Sequence, residues 1–110
     1  MLKTLTNTIK VYNGAKAKKV ALKFELEKLE VEKYLKWKED NPKARTAMDK
    51  VIAELKANDD KWQALEREYE EVSLQVSKYG LIVDFVKKMV DNPEYSKEDI
   101  ENFIKGFING

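Results

Sequence analysis

Residues 48–90 read MDKVIAELKANDDKWQALEREYEEVSLQVSKYGLIVDFVKKMV, and their periodicity decides the fold. Every seventh residue from Met48 forms one line: Met48, Leu55, Trp62, Tyr69, Val76, Val83 and Val90. A second line, offset by three, holds Val51, Asn58, Leu65, Val72, Tyr79 and Val86. All of these but Asn58 are apolar, the pattern of a helix whose a and d positions pack against another helix. A straight helix drifts by about 20° per heptad, so a strict repeat of this length needs either left-handed supercoiling or a break. Trp62, Tyr69 and Tyr79 are wide and carry polar atoms that need partners, which suits a bundle better than a two-stranded zipper. Asn58 has two readings. Buried, it would fix register; with Asp59 and Asp60 it would instead form a helix N-cap and an acidic first turn at a break.

Upstream, residues 15–40 contain no Gly or Pro and are rich in Lys, Glu, Leu and Ala, all strong helix formers. Their apolar residues fall on two opposite faces. Val20, Phe24, Val31, Tyr34 and Leu35 lie on one; Leu22, Leu26, Leu29 and Trp37 lie on the other. A helix apolar on both sides is sandwiched between neighbours. Asp40-Asn41-Pro42 reads as a stop and restart, with Pro42 at the first helical position. The expected fold is therefore all-α, a long antiparallel helical hairpin or coiled coil made of 15–40 and 42–90, with Gly80 a candidate kink. Leu74, Leu81, Ile82 and Phe85 lie off the seam, so 81–90 is apolar nearly all round and is expected to be buried on several sides.

Short helices flank this hairpin within a single domain, 1–110. Leu2, Leu5, Ile9 and Tyr12 form a helical stripe, and Asn13-Gly14 would cap it, giving a basic N-terminal helix or arm over 1–14. A β-hairpin turning at Asn13-Gly14 fails on register, because it would set Val11 opposite Lys16 and Ile9 opposite Lys18. Asp91-Asn92-Pro93 ends the long helix, and Ser96 with Asp99 makes a capping box. Ile100, Phe103, Ile104, Phe107 and Ile108 then form the stripe of an amphipathic helix over 96–108, which is expected to fold back over 81–90 with Asn109-Gly110 as its C-cap.

The lengths bear on assembly. A helix over 15–40 reaches about 39 Å and, turning at Pro42, covers only the first half of 42–90. The second half of the seam and one face of 15–40 would stay open, so the bundle is expected to be completed by a homodimer, a higher oligomer or another protein. The residues expected at that interface are Leu22, Leu26, Leu29, Trp37, Tyr69, Val72, Val76, Tyr79, Val83 and Val86.

Composition narrows the chemistry. The 110 residues include neither Cys nor His, so thiolate and imidazole metal ligands and nucleophile–histidine pairs are excluded. Gly14, Gly80, Gly106 and Gly110 are too scattered for a phosphate-binding loop. Carboxylate groups such as Glu66, Glu70 and Glu71, or Glu25, Glu27 and Glu30, read as solvated helix faces. The expectation is no catalytic residue, no metal and no cofactor. No apolar stretch is long enough for a transmembrane helix, and the start of the chain lacks the apolar run of a signal peptide, so no membrane association and a cytoplasmic location are expected.

Net charge of +1 conceals an asymmetry: residues 1–24 carry six lysines and no acid, while the remainder holds 15 bases and 20 acids, or −5. Lys10, Lys16, Lys18, Lys19 and Lys23 are therefore candidate nucleic-acid contacts. The functional expectation is a non-catalytic protein–protein interaction module acting through helix–helix packing: a small adaptor, inhibitor, regulator or assembly protein. Its Lys-, Ile- and Asn-rich composition suits a bacterium or phage. The alternative is a dimeric nucleic-acid-binding protein using the lysine-rich start.

Overall fold

The computed structural model describes residues 2–108. It is all-helical: α1 (Leu2–Asp40), α2 (Met48–Ala57), α3 (Asp60–Val90) and α4 (Lys97–Ile108), with no strand among the described residues. Packing divides into two compact units. Among the described residues, those up to Lys18 and from Val72 onward form one, and residues 19–71 form the other. Asn109 and Gly110, read above as a C-cap, lie outside the described residues, as do the side chains of Leu2 and Ile108.

The first departure from expectation is at Asn13-Gly14, where α1 does not end. It continues as one helix of 39 residues, about 58 Å long. Glycine can hold helical dihedrals at a cost of about 1 kcal/mol relative to alanine, and packing on either side offsets that cost. Thr8 and Ala15 are buried, and Tyr12 is half-buried. Thr8 tolerates burial because its hydroxyl donates to the Thr4 carbonyl at 2.8 Å. The covered positions of α1 themselves follow a heptad: Leu5, Thr8, Tyr12, Ala15, Lys19, Leu22, Leu26 and Leu29 are all buried or half-buried.

The segment 42–90, read above as one arm of the hairpin with a break at Asn58 as one of two readings, holds two helices. Asn41 is used at the end of α1, its backbone N–H and its side-chain amide both donating to the Trp37 carbonyl at 2.9 Å. With Asn41 committed there, Pro42 occupies a turn closed by the Ala44 N–H on the Asn41 carbonyl at 3.1 Å, and it does not open a helix. Lys38 secures the turn by donating to the Ala44 carbonyl at 2.9 Å. Helix α2 therefore begins only at Met48. It ends at Ala57, and the second reading of Asn58 holds: Asn58 is exposed, and Asp59 caps α3 by accepting the Trp62 N–H at 3.1 Å. The seven-residue grid survives the break. Val51, Trp62, Val72, Val83 and Val86 are buried and Leu55, Leu65, Tyr69, Val76 and Tyr79 half-buried, leaving only Met48, Asn58 and Val90 exposed.

Helix α3 passes through Gly80 without interruption. Tyr12 lies close beside that glycine; a Cβ there would sit 3.4 Å from the tyrosine hydroxyl oxygen. The core of this first unit joins Ile82 and Val86 of α3 to Ile100 and Ile104 of α4, with Leu5, Tyr79, Met89 and Phe103 packed around them. Each such aliphatic side chain contributes roughly 1.5–3 kcal/mol on burial. Helix α4 starts with the expected box: Asp99 accepts the Ser96 N–H at 2.9 Å, and the Ser96 hydroxyl oxygen accepts the Asp99 N–H at 3.1 Å. Thr4 ties α1 to α4 by donating to Glu101 at 2.8 Å, a bond that holds the Glu101 carboxyl below its ordinary range.

Of the four residues expected to be enclosed around 81–90, only Ile82 is. Leu74, Leu81 and Phe85 are at least half exposed. Helix α4 packs on the Ile82–Val86 side of α3, and the adjoining flank that carries Leu74, Leu81 and Phe85 stays largely exposed.

Candidate functional site

In the second unit, α1 is the two-sided helix its sequence implies, and the two sides have different fates. Leu22 is 6% exposed, and Leu26, Leu29 and Trp37 are half-buried. Facing the other way, Val20 is 69% exposed, Phe24 66%, Val31 52% and Leu35 57%. These four residues succeed one another at intervals of four, seven and four, so they lie in one stripe along the helix. Between Phe24 and Val31 is a shallow depression walled by Glu27, Lys28 and Glu32. Lys28 and Glu32 stand 4.0 Å apart at its edge, both largely exposed, so their pairing adds little stability. The four apolar residues are thus exposed on one side of the helix, with Glu27, Lys28 and Glu32 among them.

The residues expected at an interface are differently placed. Leu22, Leu26, Leu29 and Trp37 lie on the inner face, where Trp37 stacks with Tyr34 at 6.1 Å between centroids. Val72, Val83 and Val86 are buried within the chain, and Tyr69, Val76 and Tyr79 are half-buried. All ten are at least partly covered by the chain itself. The expectation of an open second half of the seam gave residues 1–14 to a separate short helix able to supply only part of the cover. With α1 beginning at Leu2, Leu5 and Ile9 reach Val83, Val86 and Val90 and line a groove with them.

The spacing puts Val20, Phe24, Val31, Tyr34 and Leu35 on one face without showing which face the chain covers; Tyr34 departs from the other four, being half-buried and stacked on Trp37. A signal was present. The heptad through Thr8, Ala15 and Lys19 extends the Leu22–Leu29 side to Leu5, but its small and polar members conceal it from a count of apolar residues.

The candidate nucleic-acid contacts all lie on α1. At about 100° per residue, Lys16, Lys19 and Lys23 share one sector of α1, while Lys10 and Lys18 fall outside it. The Lys16 ammonium lies 4.3 Å from the Tyr12 ring centroid, and that of Lys19, which is half-buried, lies 5.9 Å from that of Tyr69. Both contacts are within cation–π range.

The rest of the second unit positions this helix. Lys33 stands 3.4 Å from Asp59, and the Trp62 N–H together with Lys33 holds the Asp59 carboxyl below its ordinary range, the backbone bond being the larger cause. Asp59 thus caps α3 and also meets α1. Among the described residues, no three acidic side chains converge as a metal site, and no helix is long and apolar enough to cross a membrane.

The first unit exposes a smaller apolar patch. Phe103 lies between Phe85 of α3 and Phe107 of α4, at 6.3 and 5.0 Å between ring centroids, and Leu81 is exposed on the same flank of α3 as Phe85.

No protein-family model, curated protein or solved structure matches the chain.

Proposed function

We propose that this protein is a non-catalytic interaction module that recognises other polypeptides by helix–helix packing, using the outer stripe of α1. In this reading α1 runs antiparallel to α2 and α3 as a coiled-coil-like hairpin, and its spare face acts as a small adaptor, inhibitor, regulator or assembly surface. One observation carries the proposal: Val20, Phe24, Val31 and Leu35 are each more than half exposed and lie on one side of α1, in two pairs that flank the depression walled by Glu27, Lys28 and Glu32. Scattered exposed apolar residues are ordinary on a protein surface; apolar residues gathered on one side of a helix are characteristic of a contact.

The test compares the wild type with the Phe24→Asp/Val31→Asp double variant. Both positions are solvent-facing, so the variant should keep the helical circular dichroism and melting temperature of the wild type in dilute solution. Used as baits in extracts of the source cells, the wild type should retain a protein that the variant loses, or should associate with itself where the variant does not. Identical capture and identical self-association from both baits would overturn the reading.

A further inference from the structure

At the joint between α2 and α3, three side chains stand where backbone groups would bond. In an uninterrupted helix the Glu54 carbonyl accepts the Asn58 N–H, the Lys56 and Ala57 carbonyls accept the N–H groups of Asp60 and Lys61, and the Asn58 carbonyl accepts the Trp62 N–H. Here the Asn58 side-chain amide donates to the Glu54 carbonyl at 3.0 Å. The Gln63 side-chain amide donates to the carbonyls of Lys56 and Ala57 at 2.9 and 3.0 Å. The Asp59 carboxylate accepts the Trp62 N–H at 3.1 Å, and the ladder resumes with the Gln63 N–H on the Asp59 carbonyl at 3.1 Å. Between them, the Asn58 and Asp59 N–H groups tighten the last turn of α2 by donating to the Leu55 and Lys56 carbonyls at 3.3 and 3.0 Å. Asn58, Asp59 and Gln63 thus each occupy a partner that a continuous ladder would use.

Nothing in the backbone forbids that ladder. Residues 55–63, LKANDDKWQ, contain neither Gly nor Pro; no described residue has a positive φ, and Asn58 lies at φ −105° and ψ 10°, near the helical region. The seven-residue grid crosses the joint in phase, so one helix through residue 59 would keep Val51, Leu55, Trp62, Leu65 and Tyr69, all buried or half-buried now, on one side. We propose that residues 58–60 are a hinge through which α2 and α3 exchange between the jointed form and one continuous helix. The hinge lies within the unit 19–71 and does not depend on what the outer side of α1 binds.

Opposing preferences set the balance. The jointed form keeps Asn58 in solvent, places Asp59 and Asp60 at the positive end of α3, and brings Asp59 within 3.4 Å of Lys33 of α1. The continuous form turns Asn58 into an otherwise apolar line but restores the backbone bonds and releases Gln63. Asp59 is the residue that moves, from the extended conformation of a cap to a helical one, which shortens the joint by roughly 2 Å. The side chains at 58, 59 and 63 are therefore the latch, and α2, with the turn that ties it to α1, is the part that shifts.

Asn58→Leu/Gln63→Ala removes two parts of the latch, completes the apolar line and leaves Asp59 as a reporter. The backbone carbon-13 shifts of Asp59, which distinguish an extended cap from a helical residue, should move into the helical range, and the Asp60 amide should become protected from exchange as it bonds the Lys56 carbonyl. Asp59 shifts that stay at their wild-type values would overturn the hinge. Asp60→Pro decides the matter if the double variant does not fold. Proline suits the jointed form, where residue 60 opens α3 and needs no N–H partner, but a continuous helix excludes it because its ring would meet the Lys56 carbonyl. Relaxation dispersion should show microsecond-to-millisecond exchange at residues 58–62 of the wild type, which Asp60→Pro abolishes without lowering the melting temperature. Exchange absent from the wild type, or equal in the two proteins, would overturn the proposal.

Discussion

Within residues 19–40, the two faces of α1 are matched in composition and opposite in fate. Leu22, Leu26 and Leu29 are covered by the chain, whereas Val20, Phe24, Val31 and Leu35, no less apolar, face solvent. Hydrophobicity therefore does not decide which side of a helix builds the fold. Continuity does: the inner face is the one whose heptad extends without slipping back to Leu5, while the outer stripe continues before Val20 only through the exposed Ala17 and the polar Asn13.

The comparison can be broken most forcefully by truncation on each side. Leu22→Ala should destabilise by about 2–5 kcal/mol through loss of buried area and the cavity left behind. Phe24→Ala, although it removes a larger side chain, should change the stability of the dilute protein by less than about 0.5 kcal/mol. Chemical denaturation of both variants checks this, and comparable losses at the two positions would contradict the assignment of inner and outer faces.

A smaller effect tests the continuity that selects the inner face. Gly14 lies inside α1, has no positive φ, and would place an added Cβ in open space. Gly14→Ala should therefore raise stability by about 0.5–1 kcal/mol. A glycine capping a helix that ended there would give the opposite sign, because alanine is strained in the left-handed conformation.

A third effect concerns how the inner side is fastened at Asp59. Its carboxyl is held below its ordinary range by the Trp62 N–H and then by Lys33, so its stabilising contribution is complete near neutral pH and is lost as pH falls through that lowered value. Asp59→Asn keeps a capping oxygen but removes the charge. It should melt below the wild type near neutral pH, and the gap should close as pH falls through the lowered value at which the aspartate is itself protonated. A gap independent of pH would show that the Asp59 charge contributes nothing.

Much of the fold was legible in the sequence where patterns were strong. The seven-residue grid from Met48 to Val90 marks the covered side of α2 and α3, and Ser96 and Asp99 mark the start of α4. The boundaries that misled were those where one residue could serve two helices. Asn41 was available either to close α1 or to open the next helix, and its amide bonds Trp37 behind it. Gly14 could cap or continue, and local propensity favoured capping by an amount smaller than the packing of Tyr12 and Ala15 could offset. The same boundary bears on the candidate site. A helix beginning at residue 15 leaves Tyr69 to Val86 uncovered, whereas one beginning at Leu2 brings Leu5 and Ile9 to Val83 and Val86 and moves the free apolar surface to Val20–Leu35. That shift comes from contacts distant in sequence, which no local pattern records.

The division of α1 into a folding face and a free face is tested most directly by hydroxyl-radical footprinting of the dilute protein, with side-chain oxidation read by mass spectrometry. Phe24 and Leu35 should label readily, while Leu22 and the buried Trp62 are protected despite the high intrinsic reactivity of tryptophan. Leu22 labelling as readily as Leu35 in dilute solution would contradict the division of α1 into two faces.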